Sequence, residues 1–232
     1  APRAWTPITA GDRPLAGLRV LDLTRILAGP VAGRTMAAYG ADVMLVNSPT
    51  LPNIEALADT SRGKLSVHLD LKTESGRDTL RGLVREADVF LQGYRPGGLA
   101  ALGFGPADLA RLRPGIVCVS LSAYGETGPW AGRRGFDSLV QTATGFNHAE
   151  ARAFGVHEPR ALPLQVLDYS AGFLLAFGAQ AALLRRAAEG GSWHVQVSLA
   201  RTGQWLRSLG RCSDFKAVPK PDFDGVMDTT AC

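Results

Sequence analysis

Short apolar runs alternate with helix-like segments along most of this chain, and that alternation limits the folds open to it. The runs LRVLDL (18–23), DVMLV (42–46), DVFLQ (88–92) and GIVCVSLSAY (115–124) are apolar almost throughout, like strands covered on both faces. Between them lie segments such as SGRDTLRGLVREA (75–87), whose apolar residues form one helical stripe. The pattern predicts an α/β fold with an open, doubly wound, mostly parallel (Rossmann-like) sheet and helices on both faces.

The other predicted elements keep the same rhythm. Further strands are predicted at 65–71 and 193–199, helices at 28–40, 106–114, 137–147 and 169–190, and loops at 125–135 and 151–165. The helix at 169–190 is apolar on most of its faces, which predicts that it is buried. We expect an N-terminal arm at 1–16, one Rossmann-like domain at 17–210 and an irregular tail at 211–232.

Composition and cysteine usage exclude several classes of protein. Hydrophobic residues make up 46% and charged residues 20%, as in an ordinary globular protein. No apolar run approaches the roughly 20 residues of a bilayer span, and the N-terminus lacks the apolar middle of a signal peptide. The cysteines at 118, 212 and 232 fit neither a disulfide framework nor a zinc site. We therefore expect a cytoplasmic protein without a metal and without membrane association.

The charge balance and the first turn bear on the kind of ligand. The formal net charge of +4 suits an anionic ligand, but it suits a plain surface equally. No basic tract alternates with aromatic residues, which argues against nucleic acid. The turn after the first strand reads AGPVAG (28–33) rather than GxGxxG, and a Walker A sequence is absent. Neither a nicotinamide nor a flavin cofactor is expected.

Asp168 is the most informative single residue. It follows the apolar stretch LPLQVL (162–167) and stands directly before the longest predicted helix. One interpretation makes it an N-cap whose carboxylate accepts a helix N–H bond, which is the more frequent role for aspartate at such a position. The other makes it a nucleophile, since a helix N-terminus favours an ionised carboxylate that could attack a carbonyl carbon. Position alone does not separate the two.

Several ordered motifs resemble family III CoA-transferases (the CaiB/BaiF family), the group that contains formyl-CoA transferase and α-methylacyl-CoA racemase. The resemblance covers about residues 15–210. It is carried by LRVLDLTRILAGPVAGRTMAAYGADV (18–43), SRGKLSVHLDLK (61–72) with the stretch that continues to 105, SAYGETGP (122–129), LPLQVLDYSAGFLLAFGAQAALLRR (162–186) and WHVQVSLARTGQW (193–205). Together these motifs are far more specific than any one of them.

The resemblance implies an enzyme that moves CoA between an acyl-CoA thioester and a carboxylic acid. Asp168 would be the catalytic nucleophile and would form a covalent aspartyl intermediate. Ala28 and Gly29 would supply N–H donors to the developing oxyanion, and Tyr124 and Gly125 would belong to the substrate loop. Coenzyme A and its acyl esters would then be substrates.

The resemblance also implies contacts to coenzyme A, expected along the carboxyl edge of the sheet. Arg62 and Lys64 would meet its phosphates. The residues expected to line the channel for the rest of the molecule are Leu27, Tyr94, Arg95 and Gly97. Two plainer interpretations remain open, namely solvated loop charges for the first pair and a simple turn at Pro96–Gly97.

The chain departs from the family pattern at several positions. The racemase branch carries Gly-His-Asp where this chain has Gly135-Phe136-Asp137, and phenylalanine cannot move a proton. An acyl-CoA racemase or isomerase is therefore a disfavoured alternative. Asn47, Gly93 and Ala101 replace residues that are plausible CoA contacts in the family.

Family members are also much longer than 232 residues and carry a further small domain. The resemblance therefore implies a homodimer or a partner chain that supplies the missing C-terminal region. A second alternative of another class is a non-catalytic CoA-binding or scaffold domain that contributes half of a site. The acyl group is not identified by these motifs.

Overall fold

The computed structural model of the chain describes residues 12–211, and its centre is a sheet of six parallel strands. The strands are Arg19–Leu23 (β1), Asp42–Asn47 (β2), Lys64–His68 (β3), Val89–Gln92 (β4), Val117–Ser122 (β5) and Trp193–Ser198 (β6). The helices are Ala28–Ala38 (α1), Leu57–Thr60 (α2), Glu74–Glu86 (α3), Pro106–Leu112 (α4), Asp137–Ala143 (α5), Phe146–Phe154 (α6), Val166–Glu189 (α7) and Leu199–Ser208 (α8).

The strand order is β3-β2-β1-β4-β5-β6, so the direction of winding reverses at β1. Val20 of β1 is in register with Val43 of β2 on one side and with Val89 of β4 on the other. Such a reversal opens a crevice outside the carboxyl ends of the two central strands, where open α/β sheets bind ligands. The predicted open, parallel, Rossmann-like sheet is confirmed.

Helices cover both faces of the sheet, as the near-continuous apolar strands predict. Met36 of α1 and Leu175 of α7 pack on one face, while Leu80 of α3 and Leu109 of α4 pack on the other. Each of these four side chains is at most 2% exposed. A strand buried in this way gains about 25 cal/mol for each Å² of apolar area that leaves water, which explains the apolar runs.

A third apolar cluster lies at the carboxyl edge and brings the starts of four helices together. It contains buried side chains from the N-terminal parts of α1, α5, α7 and α8, namely Ala28, Val140, Leu167, Ala171 and Leu199. Each of these helices begins at this edge because it either follows the carboxyl end of a strand or runs back toward the start of the next one. Their N-terminal turns therefore share one neighbourhood.

A buried ion pair ties the edge strand β3 to β1 and α1. The Lys64 Nζ donates to Asp22 Oδ2 at 2.7 Å and to the Pro30 carbonyl at 2.9 Å. The side chains are 1% and 0% exposed. Asp22 Oδ1 also accepts the Thr24 N–H at 3.1 Å and the Thr24 hydroxyl. This one carboxylate thus fixes the turn that follows β1.

The structure corrects some predicted elements and leaves others untested. The predicted loop at 151–165 begins inside α6, which ends only at Phe154, because glycines in the left-handed conformation bound that short helix at Gly145 and Gly155. Leu15, in the predicted arm, is buried, and its N–H donates to the Tyr39 carbonyl at 2.9 Å. Residues 1–11 of the arm, and the predicted tail from 212 onward, lie outside the described residues, so the domain boundaries remain predictions.

The helix α7 is less buried than its composition predicts. Its inner face packs on the sheet and on α1, but Phe173, Phe177 and Leu184 are 52%, 69% and 65% exposed. Among residues 12–211, α7 is also the one helix that is long and apolar enough to cross a bilayer, judged by length and composition alone. Half of its apolar stretch of 18 residues is buried within the fold, as in the core helix of a globular protein.

The buried ion pair generates the first prediction. Lys64→Met keeps the length of the side chain but leaves Asp22 buried without a countercharge, so we expect a loss of about 3–5 kcal/mol in the free energy of unfolding. Urea unfolding at neutral pH measures it. The matched control is Arg62→Met, which removes a contact 3.9 Å from Asp59 made by a side chain 77% exposed. The control should change stability by less than about 1 kcal/mol, and equal losses in both variants would contradict the prediction.

Candidate active site

Asp168 lies inside α7 rather than before it. The helix begins at Val166, which makes Asp168 its third residue and Gln165 its N-cap. Neither side chain caps the helix, since Gln165 makes no cap bond and the Asp168 carboxylate accepts no hydrogen bond from residues 12–211. The interpretation of Asp168 as an N-cap is therefore wrong. Asp168 is 6% exposed as a residue, and its carboxylate has no hydrogen-bonding partner within the described chain.

The cap that α7 lacks comes from α5. Asp137, the first residue of α5, accepts the backbone N–H of Asp168 through Oδ2 at 2.9 Å, across 31 residues of chain. Its other oxygen accepts the Gln141 side-chain amide. Gln141 in turn accepts the Leu162 N–H at 3.1 Å and donates to the Leu164 carbonyl at 3.3 Å. These bonds fix the segment that leads into α7.

The surroundings of Asp168 change its proton affinity. Burial, and secondarily the nearby carboxylate of Asp137, raises the pKa of Asp168 to about 7. Both causes disfavour the charged form, one by removing water and the other by like-charge repulsion. A carboxylate of higher basicity is also the stronger nucleophile once it is ionised, and perturbed groups of this kind concentrate at reactive sites.

The turn from β1 into α1 brings free N–H donors to the same neighbourhood. Ala28 and Gly29 begin α1, and their N–H groups make no hydrogen bond within residues 12–211, as expected for a first helical turn. A Cβ on Gly172 of α7 would lie 2.6 Å from the Ala28 carbonyl, so the two helices touch here. A Cβ on Gly29 would lie 2.3 Å from Thr24, which requires glycine. Leu27, just before them, is buried.

Ile26 holds this turn in an unusual conformation. Its φ of 73° is the one positive value of a non-glycine residue within the described chain. For a β-branched residue the left-handed region costs about 1–3 kcal/mol, and such strain persists only where the surroundings impose it. Nothing in the sequence signals this conformation, because isoleucine is among the residues least suited to it.

The loop after β5 closes another side of the neighbourhood. Tyr124 packs against the carboxyl-edge cluster, and its ring meets Trp130 edge-on at 5.1 Å between centroids. Gly125 has a φ of 92° and donates its N–H to the Ser122 hydroxyl at 3.0 Å. Tyr124 thus packs against the same apolar cluster as Ala28 and as Leu167, the residue before Asp168, and the roles of these residues remain predictions.

A groove opens on the other side of the β1–α1 turn. Its walls come from the segments that follow β1 and β2 and from α2, with Thr24, Arg25, Ile26, Pro30, Leu45, Asn47, Pro52, Asn53, Ile54, Leu57 and Thr60 as lining residues. None of these belongs to α5 or α7, so the groove does not reach Asp168. Residues 24–30 form one of its walls, and the same turn contacts α7 through Ala28.

The structure separates the predicted CoA contacts. The Lys64 prediction is wrong, because its ammonium is buried against Asp22 and is not available to a phosphate. Arg62 is exposed beside Asp59. The plainer interpretation of Gly97 as a turn residue holds, since its φ is 83° and the Gly98 N–H donates to the Arg95 carbonyl at 2.9 Å.

Tyr94, which follows β4, is the next predicted contact. Tyr94 is half-buried, and burial raises the pKa of its hydroxyl while the charge of Arg25 acts in the opposite direction. Arg25 therefore lies near Tyr94, at the crevice between β1 and β4, and its guanidinium also donates to the Pro52 carbonyl. Sequence reasoning missed Arg25, although its position directly after a central strand was a usable signal. A CoA contact by Arg62, Tyr94, Arg95, Gly97 or Leu27 stays a prediction.

No group of three or more His, Cys, Asp or Glu side chains with the arrangement of a metal site occurs within residues 12–211. Burial raises the pKa of the Cys118 thiol to about 12, so this cysteine is a buried, unreactive core residue as predicted.

Comparison with known proteins decides the family. The model of CoA-transferase family III matches residues 15–222. The chain belongs to this family. Among curated relatives, the acetyl-coenzyme A transferase nodX of Hypoxylon pulicicidum is 39% identical over 220 residues, which is 90% of this chain and 37% of that protein. The probable fatty acyl-CoA transferase Rv3272 of Mycobacterium tuberculosis is 34% identical over 235 residues, which is 93% of this chain and 59% of that protein.

Solved structures agree with the family assignment. A crystal structure of a mutant of Rv3272 superposes with a TM-score of 0.78 at 34% identity, over 85% of this chain and 57% of that one. A CAIB/BAIF family protein from Brucella suis gives 0.73 at 32% identity, over 85% and 58% of the two chains. The family III chain described here thus spans less than two thirds of the length of these relatives.

The close contact between α1 and α7 predicts opposite effects on stability for two glycine-to-alanine substitutions, one at the contact and one away from it. Gly172→Ala would place a Cβ 2.6 Å from the Ala28 carbonyl and 2.8 Å from Val31, so α1 and α7 must move apart. We expect a loss of about 1–3 kcal/mol. Gly82→Ala in α3 is the control, because its Cβ meets nothing within 4 Å and the substitution should stabilise the helix by about 0.5–1 kcal/mol. Denaturant unfolding measures both, and a stabilising Gly172→Ala would refute the close contact.

The pKa of Asp168 generates a pH-dependent prediction. In the unfolded chain its pKa is about 4, so the folded chain binds more protons between pH 4 and pH 7, and stability falls as the pH rises through that window. Asp168→Asn removes this penalty and should stabilise the chain at pH 8 by up to about 4 kcal/mol. At pH 4 the variant and the unaltered chain should differ little. Urea unfolding at both pH values checks this, and a difference independent of pH would contradict it.

Proposed function

We propose that this chain carries the nucleophile and the CoA-binding part of a CoA-transferase that moves CoA from an acyl-CoA to a carboxylic acid. The observation that supports it most is the Asp168 carboxylate, buried at the start of α7 without a hydrogen-bonding partner in residues 12–211 and with a pKa of about 7. A carboxylate that served only the fold would be expected to be hydrogen-bonded. The Asp168 carboxylate has no such bond with residues 12–211, which leaves it available to react with a substrate.

The proposed reaction has four steps at Asp168, and every bond made is matched by one broken. An oxygen of Asp168 attacks the thioester carbonyl, and CoA leaves as the thiolate, which gives a mixed anhydride. The thiolate then attacks the aspartyl carbonyl and releases the donor acid, leaving an aspartyl-CoA thioester. The acceptor carboxylate displaces the thiolate to form a second anhydride. The thiolate finally attacks the acceptor acyl carbon and frees Asp168.

Each attack places negative charge on a carbonyl oxygen, and the site has donors for it. The N–H groups of Ala28 and Gly29 are unpaired within the described chain and adjoin α7. We assign the oxyanion to these two groups, in the manner of an oxyanion hole. Tyr124 and Gly125 then border the acyl group, since their loop packs against the same cluster.

The groove is assigned to the CoA moiety. The groove lies at the carboxyl ends of β1 and β2, beside the winding reversal, at the edge where open parallel sheets bind ligands, and Arg25 supplies a cation for phosphate. Tyr94, Arg95 and the turn at Gly97 follow the carboxyl end of the neighbouring strand β4, and we retain them as contacts together with the exposed Arg62 that precedes β3. The pantetheine arm then passes over residues 24–30 to reach Asp168.

The substrates are acyl-CoA esters and carboxylic acids of a class that the relatives suggest. Their names include acetyl-coenzyme A transferase, fatty acyl-CoA transferase and succinate–glutarate CoA-transferase. We also propose a homodimer or a partner chain that covers the apolar outer face of α7, because Phe177 and its neighbours on that face are exposed. Phe136, the N-cap of α5, is 61% exposed and cannot act as a base, which leaves the isomerase alternative without support.

Trapping of the acyl intermediate tests the proposal. The full chain is incubated with acetyl-CoA and, separately, succinyl-CoA in the presence of hydroxylamine, and its peptides are analysed by mass spectrometry. We expect a hydroxamate on Asp168, because hydroxylamine captures an anhydride or thioester but not a free carboxylate. Asp168→Ala should give no modified peptide.

The exposed carboxylates of the same digest serve as the internal control and should stay unmodified. CoA binding is measured in parallel by calorimetry. If CoA binds while Asp168 remains unmodified with every donor, the nucleophile is rejected and the non-catalytic CoA-binding domain is the better description.

A further inference from the structure

We propose that Asp137 is a positioning residue for Asp168, holding its main chain and setting the electrostatic balance between its free and acylated forms. The proposal rests on the proposed function of Asp168 as nucleophile. The sequence motif Gly135-Phe136-Asp137 indicates only that a histidine base is missing, and it does not predict a role for Asp137. Three features of the structure carry the inference.

The first feature is the bond itself. The backbone N–H of Asp168 is an N-terminal donor of α7 and finds its acceptor in Asp137 Oδ2, at 2.9 Å. Because Gln165 offers no cap, this bond is what fixes the first turn of α7 relative to α5. The direction in which the Asp168 side chain leaves the helix therefore depends on Asp137.

The second feature is the rigidity of Asp137. Its two oxygens have different partners, the Asp168 N–H and the Gln141 amide, so the carboxylate cannot turn without losing one of them. Gln141 is 2% exposed and also binds the backbone at Leu162 and Leu164. The same pair of side chains thus holds both the approach to α7 and its first turn.

The third feature is the charge. Asp137 is 1% exposed, and neither it nor Asp168 has an ion-paired cation within residues 12–211. A serine or threonine at position 165 would cap α7 without burying a charge. Because a buried carboxylate carries a desolvation cost, capping alone does not account for Asp137. Asp137 is the charged group that acts on Asp168, and no opposing charge contributes.

The charge has a consequence for the reaction. Repulsion by Asp137 disfavours the ionised Asp168 relative to any neutral form of it. An acylated Asp168, whether anhydride or thioester, is neutral, so acylation relieves the repulsion. Asp137 therefore shifts the balance toward the covalent intermediate while it makes the free carboxylate more basic.

Two substitutions separate the bond from the charge. Asp137→Asn keeps an oxygen that accepts the Asp168 N–H but removes the charge, whereas Asp137→Ala removes both. In the full chain, ¹³C NMR of the Asp168 carboxyl should show its titration moving to lower pH in Asp137→Asn, because one of the two causes that raise its pKa is removed. Hydrogen exchange of the Asp168 amide should stay slow in Asp137→Asn and become fast in Asp137→Ala. Asp78→Asn, on the exposed face of α3, is the control for a change of charge, and it should change neither the titration of Asp168 nor the exchange of its amide.

Hydroxamate formation with acetyl-CoA gives the reactive readout. At pH 8 the rate for Asp137→Asn should fall severalfold, with the acid limb of its pH profile displaced to lower pH. If the unaltered chain forms the hydroxamate and Asp137→Asn changes neither titration nor rate, the role of Asp137 is overturned and the nucleophile stands. If no protein forms the hydroxamate but the titration and exchange behave as described, the nucleophile fails while the coupling to Asp137 is upheld. Should Asp137→Ala fail to fold, Asp137→Asn carries both readouts.

Discussion

The buried ion pair between Asp22 and Lys64 shapes the turn on which both halves of the site depend. Asp22 stands near the carboxyl end of β1 and bonds Thr24, while Lys64 reaches from β3 to the Pro30 carbonyl. The turn between these anchors is a wall of the groove on one side and the neighbour of α7 on the other. A buried pair of this kind stabilises little by itself, but its geometry is specific, and the loss of one partner would leave a buried charge.

The carboxyl edge carries an electrostatic cost, because two carboxyl groups lie close together there. Two carboxylates, Asp137 and Asp168, are buried together without an ion-paired cation among residues 12–211. The N-terminal turns of α1, α5 and α7 converge at this edge, and each contributes partial positive charge from its free N–H groups. Backbone dipoles thus act against the repulsion only in part, since the pKa of Asp168 remains raised to about 7. Dipoles held by the fold keep their positions when charge moves, which side chains in water do not.

The sequence was sufficient for the sheet and insufficient for the contacts within the site. Periodicity predicted each strand and most helices because burial on both faces leaves a local pattern. The sequence predicts that α7 begins at residue 169, three residues later than in the structure, and a helix with that start would have Asp168 as its N-cap. Lys64 stood in a motif typical of a loop, yet β3 begins at that residue and its side chain turns inward. The bond from Asp137 to α7 spans 31 residues, and no local pattern signals a contact over that distance.

The strained conformation of Ile26 ties the readiness of the site to the completion of the fold. Left alone, a peptide with isoleucine at this point would relax to negative φ, so local preference opposes the shape of the turn. Only the assembled sheet, with α1 seated against it, keeps the residue where it is. A chain in which α1 is not packed against the sheet would therefore not hold this turn in the conformation that places the first residues of α1 beside α7.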